Sequence, residues 1–172
     1  PSSKIRALIT NSGQANAATG AAGVVANRKM AVAAAKAVGC RANQVLTAST
    51  GVIGVALEIG KIVKAMPELV ERAAHSAEPF ALAILTTDLV PKTVTTEIVL
   101  SGGTVRLTGI AKGSGMIHPN MATMLGYLLT DVKLSQTEAQ KFLKDTVDLS
   151  FNRISVDGDT STNDAAFLLA NG

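Results

Sequence analysis

The sequence predicts a layered α+β domain rather than a doubly wound parallel sheet. Helix-like and strand-like segments follow one another in mixed order, and one pair of strands is joined by a short glycine turn, which favours antiparallel pairing. The chain has 172 residues, of which 47% are hydrophobic and 17% charged. This length and composition suffice for one globular domain with a hydrophobic core and exclude a disordered chain.

The first half of the chain is predicted to contain two strands and three helices. Alternating apolar residues indicate strands, whereas runs of helix-favouring composition, such as the one rich in Ala and Val that Gly39 ends, indicate helices. The predicted bounds are a strand over 5–9, a helix over 19–38 that ends at Gly39, a strand over 44–48, a helix over 52–66 and a helix from Pro67 to about residue 85.

The second half is predicted to begin with a β-hairpin and to continue through a capped helix. β-branched residues over 93–100 and 104–110 flank the turn Ser101-Gly102-Gly103, and Ser135 with Glu138 forms a capping box. The predicted elements are this hairpin, a buried strand over 121–129, a helix from 135 to about 149, and strands over 153–156 and 165–169 around a polar loop.

Several classes of function are excluded by composition. The net charge of +3 is spread along the chain, and one Tyr, four Phe and no Trp leave few aromatic surfaces for stacking bases, so no nucleic-acid partner is expected. Cys40 is the only cysteine and the histidines are His75 and His118, which argues against a disulfide or a metal centre. The longest uncharged stretches contain Asn, Ser, Thr and several Gly, so no membrane-spanning helix is expected.

Two polar loops resemble ligand-binding motifs only in part. Gly113-Ser114-Gly115 lacks the third glycine of a dinucleotide fingerprint, and no Gly-Lys-Ser/Thr follows it. Asp157, Asp159 and Asp164 could form a cation loop, but Ser and Thr occupy the positions where an EF-hand needs a ligand and a glycine. A turn whose polar side chains satisfy one another is favoured for this loop.

The run from Gly109 to Leu125 has two interpretations. The simpler one is a strand that is entered through a glycine turn. The other is a self-cleaving junction, in which the Thr123 hydroxyl attacks the carbonyl of Ala122, the amide becomes an ester, and water releases a chain that starts at Thr123. The new α-amine, with an unperturbed pKa near 8, would then serve as the base for the hydroxyl of the same residue.

The segment around Thr50 and Gly51 also has two interpretations, which the residues support equally. A glycine turn between a strand and a helix leaves backbone N–H groups free to stabilise an oxyanion, and a threonine hydroxyl adds a donor. Alternatively, Ser49 or Thr50 caps the helix that follows.

Five segments, taken in order, resemble the ornithine acetyltransferase family, the bifunctional glutamate N-acetyltransferase and amino-acid acetyltransferase of arginine biosynthesis. The segment 11–20 departs from the family pattern only at Gln14 and Ala18. The segments are Asn11–Gly20, Ser49–Gly54, Thr86-Thr87-Asp88, Lys112–Thr123 and Asp157–Asp164. The resemblance covers essentially the whole chain, corresponds to the middle of the family's polypeptide, and implies a layered α/β sandwich.

The resemblance implies a role for six residues. It implies scission between Ala122 and Thr123, with Thr123 as the nucleophile. It assigns the oxyanion hole to Thr50 and Gly51, and contacts with the substrate to Thr86, Lys112 and Thr123. A lysine suits a substrate carboxylate, although a solvated surface charge is the commoner role of a lysine.

The resemblance also implies how the chain is organised. Within a single domain over 1–172, residues 1–122 would end an α chain and residues 123–172 would start a β chain. The two chains would remain associated, usually as an α2β2 assembly.

The function implied by the resemblance is ping-pong acetyl transfer from N-acetylornithine to glutamate through an acetyl-threonine enzyme. No metal or redox cofactor is needed, and acetyl-CoA is a second donor in bifunctional members. A cytoplasmic location, or an organelle matrix in a eukaryote, is expected. Three alternatives stay open: a self-processing hydrolase or aminopeptidase with an N-terminal threonine, a noncatalytic metabolite-binding domain, and an inactive fragment of a larger enzyme.

Overall fold

The computed structural model describes residues 4–73, 75–116 and 124–172. The chain divides into two compact units, Pro1–Ser76 and Ala77–Gly172. No helix among the described residues is long and apolar enough to span a membrane.

The first unit is a two-stranded parallel sheet covered by helices. Its elements are β1 (Ala7–Asn11), α1 (Gly20–Val38), a 3-10 turn (Ala42–Gln44), β2 (Val45–Ser49) and α2 (Ile59–Glu71). β1 pairs with β2 from Ala7 opposite Val45 to Asn11 opposite Ser49. The polar residues that follow the strands therefore leave the same edge of the sheet.

Small side chains on α1 allow the sheet and α2 to pack closely. Ala34 and Ala35 of α1 form a buried cluster with Val45 of β2 and Met66 of α2. The helix ends as predicted at Gly39, which adopts a left-handed conformation (φ 69°) and donates its N–H to the carbonyl of Ala35.

The two predicted helices over 52–85 are wrong in their bounds. Residues 50–54 do not form a helix because Gly51 and Gly54 have positive φ and the segment bonds to residues 13–17. α2 begins only at Ile59 and continues through Pro67, although proline lacks the N–H that an interior helical position donates. The neighbouring Met66 is buried in the cluster with α1, and this packing favours a continuous helix.

The second unit contains a four-stranded mixed sheet in the order β3-β4-β5-β6. Its elements are α3 (Glu78–Ala83), β3 (Lys92–Leu100), β4 (Gly103–Lys112), β5 (Leu125–Thr130), α4 (Gln136–Leu149), a 3-10 turn (Phe151–Arg153) and β6 (Ala165–Ala170). β3 and β5 both run antiparallel to β4, whereas β6 runs parallel to β5. The predicted α+β class with mixed and antiparallel pairing is confirmed.

The centre of this sheet is β5, where aromatic side chains pack. Tyr127 is 2% exposed, lies edge-on to Phe80 of α3 at a centroid distance of 4.8 Å, and stacks on Phe167 of β6 at 5.4 Å. These contacts tie α3 and both strands to one core.

Local signals in the second unit are mostly confirmed. The hairpin forms with Leu100 opposite Gly103, and the Ser135 side chain accepts the N–H of Glu138 at the start of α4. The predicted strand over 153–156 is wrong, because a 3-10 turn ends at Arg153, whose N–H bonds to the carbonyl of Ser150, and no strand follows it among the described residues before β6.

Some predictions fall outside the described residues. They include the start of the predicted strand over 121–129, His118, and the junction Ala122-Thr123. The single-domain interpretation and the division into residues 1–122 and 123–172 stay predictions.

Candidate functional site

The candidate oxyanion segment of the first unit is a loop held by backbone hydrogen bonds. The N–H of Thr50 donates to the carbonyl of Asn11 at 3.0 Å, and the N–H of Val52 donates to that of Gly13 at 3.1 Å. Gln14 bridges to both Thr50 and Val52. The expectation that this turn leaves several N–H groups free is therefore wrong for Thr50 and Val52.

Gly51 occupies a position of this loop where only glycine fits. Its φ is +126°, and a Cβ there would lie 2.5 Å from the carbonyl oxygen of Gly13 and 2.7 Å from the nitrogen of Gln14. Its N–H has no hydrogen-bond partner within the described parts of the chain. The loop thus offers a backbone donor at Gly51, next to the buried Thr50, which is 2% exposed.

The alternative role of this segment as a helix cap is wrong. The N-cap of α2 is Glu58, not Ser49 or Thr50, and no side chain caps that helix. Instead the Ser49 hydroxyl accepts the N–H of Asn16 at 2.8 Å.

In the second unit the structure brings together two of the predicted substrate residues. Lys112, the last residue of β4, is only 1% exposed, and its Nζ donates to the Thr86 hydroxyl at 3.1 Å. Burial lowers the pKa of Lys112, while the negative charges of Asp88 and Asp164 raise it. Lys112 is therefore a buried cation inside a polar cluster, not a solvated surface charge.

Asp88 fixes the backbone that follows Lys112. Its Oδ1 accepts the N–H of Gly113 at 2.7 Å and the Nζ of Lys92 at 2.6 Å, and its side chain is fully buried. Burial raises the pKa of Asp88, but these hydrogen bonds and the charges of Lys92 and Lys112 outweigh that effect, so the pKa lies below 3.8. The carboxylate is therefore ionised at neutral pH.

Asp164 is a member of the cluster that the sequence did not reveal. Its Oδ1 accepts the N–H of Met124 at 2.7 Å. Burial raises its pKa to about 6, against the opposing effects of this hydrogen bond and of the Lys112 charge. The sequence named Asp164 only as a candidate cation ligand and as the end of a segment that resembles the family, and the parallel pairing of β5 with β6, which brings it to Met124, was not predicted.

The polar loop before β6 does not gather cation ligands. No group of three or more His, Cys, Asp or Glu side chains with metal-binding geometry occurs in the described ranges. Asp157, which has a positive φ of 69°, instead accepts the N–H of Met116 at 3.1 Å.

The predicted residues thus fall into three groups. Thr50 and Gly51 lie in the loop of the first unit, Thr86 and Lys112 form a hydrogen-bonded pair in the second, and Ala122 and Thr123 lie outside the described residues.

The sequence matches a family model over its whole length. The model of the ArgJ family covers residues 1–172. The "Arginine biosynthesis bifunctional protein ArgJ" of Thermotoga neapolitana is 48% identical over 170 residues, which are 99% of this chain and 43% of that protein. The protein of the same name from Chlorobaculum tepidum is 52% identical over 172 residues, which are 98% of this chain and 42% of that protein. The chain therefore spans about two fifths of the length of these curated relatives.

Solved structures show the same similarity. The arginine biosynthesis bifunctional protein ArgJ of Bacillus halodurans matches with a TM-score of 0.60 and 40% identity, over 67% of this chain and 61% of that one. The ornithine acetyltransferase of Mycobacterium tuberculosis, solved with ornithine, matches with a TM-score of 0.60 and 35% identity, over 65% of this chain and 61% of that one.

Proposed function

The chain belongs to the ArgJ family, and we propose that it carries the self-processing and acetyl-transfer centre of a glutamate N-acetyltransferase. In this proposal the enzyme moves an acetyl group from N-acetylornithine to glutamate through Thr123. The names of the relatives and the ornithine bound to the Mycobacterium tuberculosis enzyme support this proposal.

The observation that carries the proposal is the buried Lys112, whose Nζ lies 3.1 Å from the Oγ1 of the exposed Thr86. An ammonium group away from water binds a carboxylate more strongly than a solvated lysine does. Both N-acetylornithine and glutamate carry an α-carboxylate, so one cation can receive donor and acceptor in turn.

The first step of the proposal is self-cleavage. The Thr123 oxygen bonds to the carbonyl carbon of Ala122, the C–N bond between the two residues breaks, and the hydroxyl proton passes to the released amine. Water then hydrolyses the ester, which leaves the Ala122 carboxylate and restores the Thr123 hydroxyl beside a free α-amine.

Acetyl transfer then takes two matched steps. The Thr123 oxygen attacks the acetyl carbonyl of N-acetylornithine, the C–N bond breaks, and ornithine leaves with the proton. The amine of glutamate attacks the acetyl ester next, giving N-acetylglutamate and free Thr123.

Thr50 and the N–H of Gly51 are proposed to stabilise the oxyanions that form in these steps. Losing one such donor in a well-studied hydrolase raises the barrier by about 3–4 kcal/mol.

The proposal extends to the whole protein. Acetyl-CoA serves as a second donor, in line with the word "bifunctional" in the names of the relatives. The two chains formed by scission stay together in an α2β2 assembly, no metal or redox cofactor takes part, and the enzyme acts in the cytoplasm or, in a eukaryote, in an organelle matrix.

Intact mass spectrometry under denaturing conditions tests the proposal on the protein expressed from its complete reading frame. Two chains meeting at Ala122/Thr123, with an acetyl mass added to the Thr123 chain after incubation with N-acetylornithine, are expected. A single unlabelled chain would contradict the proposal and favour a metabolite-binding domain. Cleavage with release of acetate but no transfer to glutamate would favour the hydrolase.

Variants separate the roles of Thr123 and Lys112. T123A is expected to abolish both scission and labelling. K112M, which removes the buried charge, is expected to slow labelling at least about tenfold, the size expected for losing a hydrogen bond to a charged group. The control is K64M, at an exposed position of α2. Equal rates in K112M and K64M would show that Lys112 does not bind substrate.

A further inference from the structure

The segment that joins β4 to β5 is held by an aspartate at each end. The pairing of β4 with β5 ends where Lys112 lies opposite Leu125. The segment that connects the two strands therefore begins at Gly113 and ends at Met124. Oδ1 of Asp88 accepts the N–H of Gly113, and Oδ1 of Asp164 accepts the N–H of Met124, both at 2.7 Å. The two ends of the segment are therefore fixed by carboxylates from elsewhere in the chain.

Asp164 reaches Met124 because β6 runs parallel to β5. Ala165 pairs with Leu125, and its N–H donates to the carbonyl of Met124 at 3.1 Å. The side chain of Asp164 thus accepts the N–H of Met124, and the N–H of Ala165 donates to the carbonyl of Met124. Met124 directly follows the proposed nucleophile Thr123 in the chain, so Asp164 bonds to the backbone of the next residue.

Placing the carboxylate of Asp164 in this environment costs more free energy than the role of accepting one hydrogen bond requires. Its second oxygen, Oδ2, is buried and has no hydrogen-bond partner among the described residues. A neutral side chain could accept the same N–H without placing a carboxylate in this environment. The charge does have one favourable effect in the structure, since it supports the protonated form of the buried Lys112.

We propose that Asp164 is a positioning residue for the chemistry at Thr123. It fixes the peptide group that follows the nucleophile, and its negative charge stabilises the ammonium of Lys112. This inference rests on the proposed function, because it concerns the same reaction.

The test compares D164N, D164A and D157N in the protein expressed from its complete reading frame. Asn retains an oxygen that can accept the N–H of Met124 but has no charge, whereas Ala removes both. D157N is the matched control, because Asp157 also accepts an N–H from the segment, that of Met116 at 3.1 Å. Scission is followed by intact mass, acetyl transfer by kcat and KM, and folding by thermal unfolding.

The expected result is a graded loss that appears in kcat. D164N should lower kcat and the rate of scission at least about tenfold, while KM for N-acetylornithine changes less than about threefold, and D164A should be slower still. A folded D164N chain that remains uncleaved would also support the proposal, since scission uses the same hydroxyl. D157N should retain the wild-type rates.

Other results would overturn the inference. They are a D164N rate within about twofold of wild type, equal losses in D164N and D157N, and a loss confined to KM. If D164N and D164A both lose their cooperative unfolding transition, the residue is merely structural. If the wild-type protein is neither cleaved nor acetylated, the proposed function fails and this inference fails with it, whereas an active wild type with an active D164N refutes the inference alone.

Discussion

Replacing Gly51 by alanine is expected to destabilise the protein strongly, because two independent features of the backbone exclude a side chain there. The φ of +126° is one that residues with a Cβ rarely adopt, at a cost of about 1–3 kcal/mol. The new Cβ would also lie 2.5 Å from the carbonyl oxygen of Gly13, inside the contact distance of the two atoms. Since the atoms that the new Cβ would meet belong to the backbone of Gly13 and Gln14, the loop itself must move.

The combined effect is expected to be about 3 kcal/mol or more, which corresponds to roughly 6–12 °C in Tm for a chain of this size. Thermal unfolding followed by circular dichroism measures it. The control is G60A, because Gly60 lies in α2 with nothing within 4 Å of its missing Cβ and helices favour alanine. If G51A melts within about 2 °C of the wild type, the steric argument is refuted.

Three further predictions concern charges and caps. S135A should lower the unfolding free energy by about 1 kcal/mol through loss of the α4 cap, with the exposed T137A nearly neutral in the same denaturant titration. The pKa of Asp88 is lowered in the fold, so its contribution to stability should be present above pH 3.8 and lost at lower pH, and the difference in unfolding free energy between wild type and D88N should shrink there. The pKa of Asp164 is instead raised to about 6, so the folded state binds the proton more tightly than the unfolded chain does. The contribution of protonated Asp164 to the unfolding free energy should therefore be lost as pH rises from about 4 to about 6. D164N should lack this dependence of the unfolding free energy on pH.

Features set by residues three or four apart were predictable from the sequence. The capping box of Ser135 and Glu138, the end of α1 at Gly39 and the hairpin turn before β4 all depend on local geometry. Each of these features depends only on residues that are close in sequence, so it can be predicted without knowledge of tertiary contacts.

The errors arise where distant residues decide the local structure. Residues 50–54 bond to residues 13–17, a pairing that helix propensity does not reveal. Pro67 lies inside α2 beside Met66, whose burial against α1 favours a continuous helix. The bond of Asp164 to Met124 depends on the parallel pairing of β6 with β5, which the sequence does not reveal.

The two aspartates at the ends of the connecting segment have complementary roles if the chain is cut between Ala122 and Thr123. Before the cut, the strand pairing of β4 with β5 and the covalent segment both hold the two ends together. After the cut, the bond to Asp88 remains on the side of Lys112, whereas the bond to Asp164 remains on the side of Thr123. Each newly separated part thus keeps its own carboxylate, and neither bond depends on the peptide that is lost. One aspartate alone would secure only one side of the cut, so a chain that is cut there gains from two carboxylates, each of which has a buried oxygen in this fold.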